Sequence, residues 1–189
     1  MKNFKIFIFV IIIGSFSSGL LVFVDKLTEE KIRKNMAFKI KSAILSSLSI
    51  PFSKENIDKV FGENIEEISK NGIKYFVTKE KEVAFIFSGN GLWGPISGVI
   101  SIKNDHKTIK NIVIVHQEET PGLGGRISEE EFLKRFEGKL IIPEIKIVPP
   151  GKAEKENEVD GITGATGTIR AFEKILNDTI KRYLKYLED

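Results

Sequence analysis

No cysteine occurs anywhere in the chain. That absence removes disulfides, thiol nucleophiles, thiolate ligation of iron–sulfur clusters and a lipid anchor on a cysteine. Histidine is almost as scarce, with His106 and His116 alone. A zinc or haem site would have to lean on carboxylates, so no metal site is expected. A usable surplus of charge is missing too. The formal net charge of +3 is unevenly placed: residues 1–50 hold eight Lys/Arg against three acids, whereas the remainder holds 21 basic and 23 acidic residues. The globular part therefore lacks the basic excess of a nucleic-acid-binding surface, and that partner class is excluded. Internal repeats are absent as well.

What is present begins with FKIFIFVIIIGSFSSGLLVFV at residues 4–24, in which Lys5 is the single charge. About 20 apolar or small residues suffice to cross a hydrocarbon core of roughly 30 Å. The strongest apolar run, Ile6–Ile13, has the length of a signal-peptide core, but hydrophobicity resumes at Leu20–Val24 and no small-x-small cleavage site precedes Asp25. Residues 1–25 thus read as an uncleaved transmembrane anchor, with membrane lipid as a partner. Six basic residues between 26 and 41 outweigh Lys2 and Lys5, and by count alone they favour a cytoplasmic C-terminal domain. Long following domains can nevertheless be translocated regardless of charge, so the count leaves the side open.

Residues 26–50 predict a juxtamembrane helix beginning near Thr28, with Leu27, Ile32, Met36, Ile40, Ile44 and Leu48 at mostly four-residue spacing and Pro51 as the stop. Either a stalk or an amphipathic helix packed on the domain fits that pattern. Residues 51–189 predict one α+β domain with a mainly antiparallel sheet and flanking helices. IKYFVT (73–78) and VAFIFS (83–88) flank a charged turn, and ISGVISI (96–102) and TIKNIVIVH (108–116) form a second hairpin. Ser128 and Glu131 have capping-box spacing for a short helix ending near Gly138. EIKIV (144–148) predicts a strand, followed by a polar loop. A long amphipathic helix follows from about Thr166 to Leu187.

Three glycine-rich loops lie between these elements: GNGLWGP (89–95), EETPGLGG (118–125) and DGITGATG (160–167). Glycine lets backbone approach a ligand closely, and three such loops in a small domain point to a shared site. At DGITGATG, Thr163, Gly164, Ala165 and Thr166 would offer helix N-terminal donors to a phosphate. The alternative is that Thr163 or Thr166 simply caps the helix. Neither GxGxxG after a strand nor GxxxxGK[ST] is present.

DGITGATG resembles the flavinylation motif Asp-x-x-[Ser/Thr]-Gly-Ala-[Thr/Ser] of the FMN-binding-domain family, which includes the NqrC component of Na+-translocating NADH:quinone reductases and the RnfG component of Rnf electron-transport complexes. The resemblance implies covalent FMN on Thr166 through a phosphoester, installed by a flavin transferase, with Asp160, Thr163, Gly164 and Ala165 completing the motif. HQEETPGLGG is similar to the family's Glu-Thr-Pro-Gly-Leu-Gly segment, which places Glu119, Thr120, Pro121, Gly122, Leu123 and Gly124 against the flavin. GLW is similar to a segment that brings Leu92 and Trp93 near the ring. By this resemblance the chain is an electron-transfer subunit, without independent catalysis, of an Nqr- or Rnf-type ion-translocating oxidoreductase. Other membrane subunits are its partners, and its FMN domain lies outside the cytoplasmic membrane. From the residues alone three alternatives stay open: Glu119 as a solvated loop acid, Trp93 as a core aromatic, and a noncovalent phosphate ligand in place of FMN. His106 and His116 are expected at strand ends, without a partner or a role in proton transfer.

Overall fold

The computed structural model describes residues 2–70 and 73–187. Its contacts divide the chain into residues 1–38 and residues 39–189. The first unit is a stretch of helix α1, which runs without interruption from Lys2 to Ser47. Between residues 6 and 24 its side chains are apolar or small around the whole circumference and exposed. A helix apolar on every side that buries none of it against protein is suited to lipid. This supports a single-pass anchor. The separate helix start expected near Thr28 is absent: Thr28 Oγ1 donates 2.9 Å back to the Val24 carbonyl inside a continuous helix, which is back-bonding and not capping.

In the second unit the elements follow as α2 (Ile57–Asn64), β1 (Ile65–Lys70), β2 (Ile73–Thr78), β3 (Val83–Asn90), β4 (Pro95–Ile102) and β5 (Ile109–Gln117). A 3-10 turn (Gly124–Ser128), α3 (Glu130–Lys134), β6 (Lys146–Val148), β7 (Glu158–Asp160) and α4 (Thr166–Leu187) complete the chain. β1 to β5 form one antiparallel sheet in sequence order, and β6 pairs with β7 in parallel. The expected α+β architecture, both hairpins and the strand at β6 are present. β1, β7 and the parallel pairing go beyond the sequence reading. The polar stretch 149–157 that reads as a plain loop is the crossover joining two parallel strands.

Alternation along the strands buries both sheet faces. Val83, Phe85 and Phe87 of β3 and Ile96, Ile100 and Ile102 of β4 join Phe132, Phe136, Phe172 and Leu176 in one core. Ala84, Val99 and Ser101 point the other way and are equally inaccessible. There Ser101 Oγ donates 2.6 Å to the carbonyl of Ser47, fastening the buried end of α1 (Ala43, Ile44, Leu45) to that face. Gly98 lets β4 pass Phe87, since a Cβ would lie 2.5 Å from the Phe87 ring.

Two local expectations fail for identifiable reasons. Ser128 ends the 3-10 turn and donates to the Gly125 carbonyl, so the capping box is not formed; α3 starts behind Glu129 with no side-chain cap. His116 is exposed at the end of β5 but pairs with Glu118 at 3.0 Å, a partner that sequence spacing does not reveal.

Phe172 is fully buried in edge-on contact with Phe87 at 5.8 Å and Phe136 at 5.9 Å. Phe172→Ala is expected to destabilise the domain by about 3–5 kcal/mol, measured by denaturant unfolding of the detergent-solubilised chain followed by circular dichroism.

Candidate functional site

The start of α4 is built from a tight turn. The Ala165 N–H donates to the Ile162 carbonyl, and Gly164, at φ +82°, occupies the third position. That combination is a type II turn, which needs glycine there. The Ile169 N–H bonds the Ala165 carbonyl, so alanine stands at the N-cap, where it offers no side-chain acceptor. The N–H groups of Thr166, Gly167 and Thr168 precede the first intrahelical bond and have no partner in the helix. Among the described residues the hydroxyls of Thr163 and Thr166 make no capping bond, and both threonines are exposed. The capping alternative is therefore not realised.

The second loop forms another turn of the same kind. The Leu123 N–H donates to the Thr120 carbonyl around Pro121 and Gly122, and Gly122 has φ +74°. The Gly125 N–H bonds the same carbonyl at 2.9 Å. The exposed Leu123 side chain reaches the turn before α4, where a Cβ on Gly164 would be 3.2 Å from its Cδ2. In the first loop the Gly91 N–H closes onto the Gly94 carbonyl at 2.8 Å. Leu92 lies over Gly167, whose Cβ would come within 2.8 Å of Leu92 Cδ2. The three glycine-rich loops thus converge on the first turn of α4.

Glu119 joins them. Only 4% exposed, it accepts hydrogen bonds at Oε1 from the N–H of Trp93 at 2.9 Å and of Gly94 at 3.4 Å. Its Oε2 accepts the Thr168 hydroxyl at 2.5 Å. Its own N–H donates to Gln117 Oε1. Burial pushes its carboxyl up, but the bonds from Thr168, Trp93, Gly94 and Leu92 outweigh burial and hold it below the ordinary glutamate range. The solvated-acid alternative is excluded. Trp93 is 74% exposed and is not a core aromatic. Leu92 and Leu123, at 56% and 48% exposure, are further apolar surface on the converging loops, beside Gly167 and Gly164 on either side of Thr166.

Asp160 works elsewhere. Its Oδ1 accepts the N–H groups of Lys152 and Ala153 at 2.9 and 3.1 Å. These bonds, with Arg135 nearby, hold its carboxyl below its ordinary value. Arg135 donates to the Asp160 and Gly161 carbonyls, bracing the strand that leads into the motif. Sequence reasoning misses Arg135 and Thr168. Nothing local marks Arg135, whereas Thr168 carries a signal: it lies two residues beyond Thr166, on the inward side of a helix whose apolar phase is readable. A cavity of about 330 Å³ lies between β5 and α3, lined by Asn111, Val113, Leu133 and Lys134 among others, away from these loops. The site is an open rim.

Residues 91–181 match the FMN-binding domain. The NqrC component of the Na(+)-translocating NADH-quinone reductase of Vibrio anguillarum is 34% identical over 109 residues, which is 53% of this chain and 43% of that protein. The corresponding protein of Haemophilus ducreyi is 33% identical over 119 residues, 58% of this chain and 46% of its own. The chain spans less than half the length of these curated relatives. A crystal structure of the same component from Parabacteroides distasonis superposes with a TM-score of 0.74 at 27% identity, covering 85% of this chain and 97% of that one. Shewanella oneidensis NqrC, at 18% identity and TM-score 0.66, covers 77% of this chain and 96% of its own and shares the fold.

The depressed Glu119 value fixes a sign for pH. The folded state binds fewer protons at this group than the unfolded state, so its contribution is complete above the ordinary glutamate value and is lost as pH falls through the lower folded one. Glu119→Gln keeps an acceptor oxygen but cannot titrate. The stability gap between wild type and this variant is expected to be constant near neutrality and to narrow below pH 4.5, the ordinary glutamate value. Denaturant midpoints across acid pH measure it.

Proposed function

From the match of residues 91–181 to the FMN-binding domain, we propose that the chain is a membrane-anchored electron-transfer subunit carrying FMN as a phosphoester on Thr166. It works inside an ion-translocating NADH:quinone oxidoreductase complex. The observation that carries this reading is the first turn of α4. An exposed threonine hydroxyl stands at the first residue of a 22-residue helix whose N-terminal donors lack a side-chain cap. Such a terminus binds phosphate through unpaired N–H groups and the helix dipole.

The surrounding residues fit the remainder of the group. Leu92, Trp93 and Leu123 offer apolar surface for the isoalloxazine, and Thr120 offers an exposed hydroxyl. Pro121, Gly122 and Gly124 shape that loop, while Thr163, Gly164 and Ala165 form the turn on which Thr166 stands. Asp160 and Arg135 brace the strand behind it. FMN, when bound, supplies reversible electron and hydride chemistry; the chain holds and orients it. The relatives named as components of Na(+)-translocating NADH-quinone reductases support the NADH:quinone type over the Rnf type. Neighbouring membrane subunits, a flavin transferase and membrane lipid are the partners of this reading. The exposed rim favours covalent attachment over a noncovalent ligand, because noncovalent sites bury most of what they hold.

Co-expression of the full chain with a flavin transferase, followed by denaturing intact-mass measurement, tests the ester. The expected gain is FMN minus water, abolished in Thr166→Val. An unmodified mass beside an active transferase refutes it, and flavin that is released on denaturation indicates noncovalent binding. The same reading places the FMN domain, residues 51–189, outside the cytoplasmic membrane, so a C-terminal reporter enzyme that works only in the cytoplasm is expected to be inactive.

A further inference from the structure

The carboxylate of Glu119 spans two loops and a helix without a cation. Its two oxygens are divided between different elements: Oε1 takes the N–H groups of Trp93 and Gly94 in the β3–β4 turn, and Oε2 takes the Thr168 hydroxyl in the first turn of α4. Among the described residues no Lys, Arg or His pairs with it; the adjacent Glu118 is exposed and engages His116. The backbone is shaped to admit it. A Cβ on Gly91 would lie 2.3 Å from Oε1, and a Cβ on Gly124 would lie 2.9 Å from Oε2 and 2.3 Å from Thr168 Oγ1. Two of the site's glycines are therefore spaces for this carboxylate, not only turn residues.

The bond falls on the backbone of the one residue whose indole is largely free. Trp93 makes little contact of its own at 74% exposure, so its position is set through its N–H. Hydrogen bonds to an ionised, buried acceptor are shorter and stronger than neutral ones. We propose that Glu119 is a positioning residue: it clamps the Leu92–Gly94 turn to the first turn of α4 and thereby presents the Trp93 indole to the flavin on Thr166. The second half rests on the FMN reading above; the clamp itself does not. The turn is then already in place before any flavin arrives, so the ordering cost is met by folding and not by the cofactor.

Trp93 is the sole tryptophan, so emission reports on this turn alone. The full chain in detergent is compared as wild type, Glu119→Ala, Glu119→Gln and Thr168→Val, each first without flavin in a Thr166→Val background. Glu119→Ala is expected to lower Trp93 anisotropy and increase its quenching by iodide, with far-UV circular dichroism unchanged. Thr168→Val, which cuts the clamp at the helix end and is isosteric, is expected to shift both readouts in the same direction even where the alanine variant fails to fold. Glu119→Gln, retaining an acceptor, is expected to restore them towards wild type. In chains carrying Thr166 and loaded with flavin, quenching of Trp93 by the flavin is expected to weaken in Glu119→Ala and to be kept in Glu119→Gln. Wild-type anisotropy and iodide quenching in folded Glu119→Ala or Thr168→Val overturn the clamp. Unchanged flavin quenching in loaded Glu119→Ala overturns the presentation of Trp93. A chain that never acquires flavin refutes the FMN reading, while the unloaded comparison still reads the clamp.

Discussion

Phe172 sits without accessible surface among Phe87, Phe132 and Phe136, and this packing sets the rotation of α4 about its own axis. Ile169, Phe172, Ile175, Leu176, Ile180 and Tyr183 are buried along one stripe. Once that stripe is seated, every other position on the helix is assigned a direction. At 3.6 residues per turn, two residues apart means about 200° of rotation. Thr168 therefore turns inward to Glu119, and Thr166 turns out to solvent. The distinction between the two threonines comes from aromatic packing farther along the helix, not from their immediate neighbours.

The same rotation organises the loops. Because Thr168 faces inward at the helix start, its hydroxyl is within reach of a carboxylate that enters from beyond β5. That carboxylate can be buried only if enough donors meet it. A buried charge lacking a cation needs several hydrogen bonds to hold its ionised form, and the turn between β3 and β4 supplies them. Gly91, Gly94 and Gly124 are consistent with this use of space, because each lies where a side chain would collide with Glu118, Glu119 or Thr168. Residues that look interchangeable as flexible glycines have separate steric reasons.

Much of this was legible in the sequence. The 3.6-residue pattern of α4 and the two-residue pattern of β2 to β5 survive because large apolar side chains repeat there and fix register. The apolar alternation of EIKIV marked β6 in the same way. The convergence of three loops was legible only as glycine content. β1 was missed because IEEISK carries two acids and a serine on a sheet edge, where burial demands little. β7 was missed because three residues cannot display a period, and its partner lies across a nine-residue crossover. Ser128 misled because Ser-x-x-Glu describes what a helix start can use, while the backbone there was already committed to a 3-10 turn. The residue pattern alone could not say whether Glu119 is buried. Whether a loop acid is solvated depends on donors 25 and 49 positions away, and no local pattern records those.

Openness and attachment are linked by the same geometry. A ligand held by noncovalent contact alone generally needs a concavity that buries about 70–90% of its surface. The rim here is formed by Leu92, Trp93 and Leu123, each about half exposed or more, and the 330 Å³ cavity lies elsewhere, between β5 and α3. A flavin seated on such a rim would keep much of its edge in solvent. For a carrier that exchanges electrons with neighbouring subunits, that exposure is an advantage, because the redox partner must approach the ring. Its cost would be rapid loss of a dissociable cofactor. The proposed phosphoester at Thr166 would remove that cost without closing the site: the covalent bond would supply retention, the uncapped helix start complementary charge, and the rim would be left to orient the ring. An exposed hydroxyl at an uncapped helix start, which would be a defect in a structural helix, is what the proposed carrier would require.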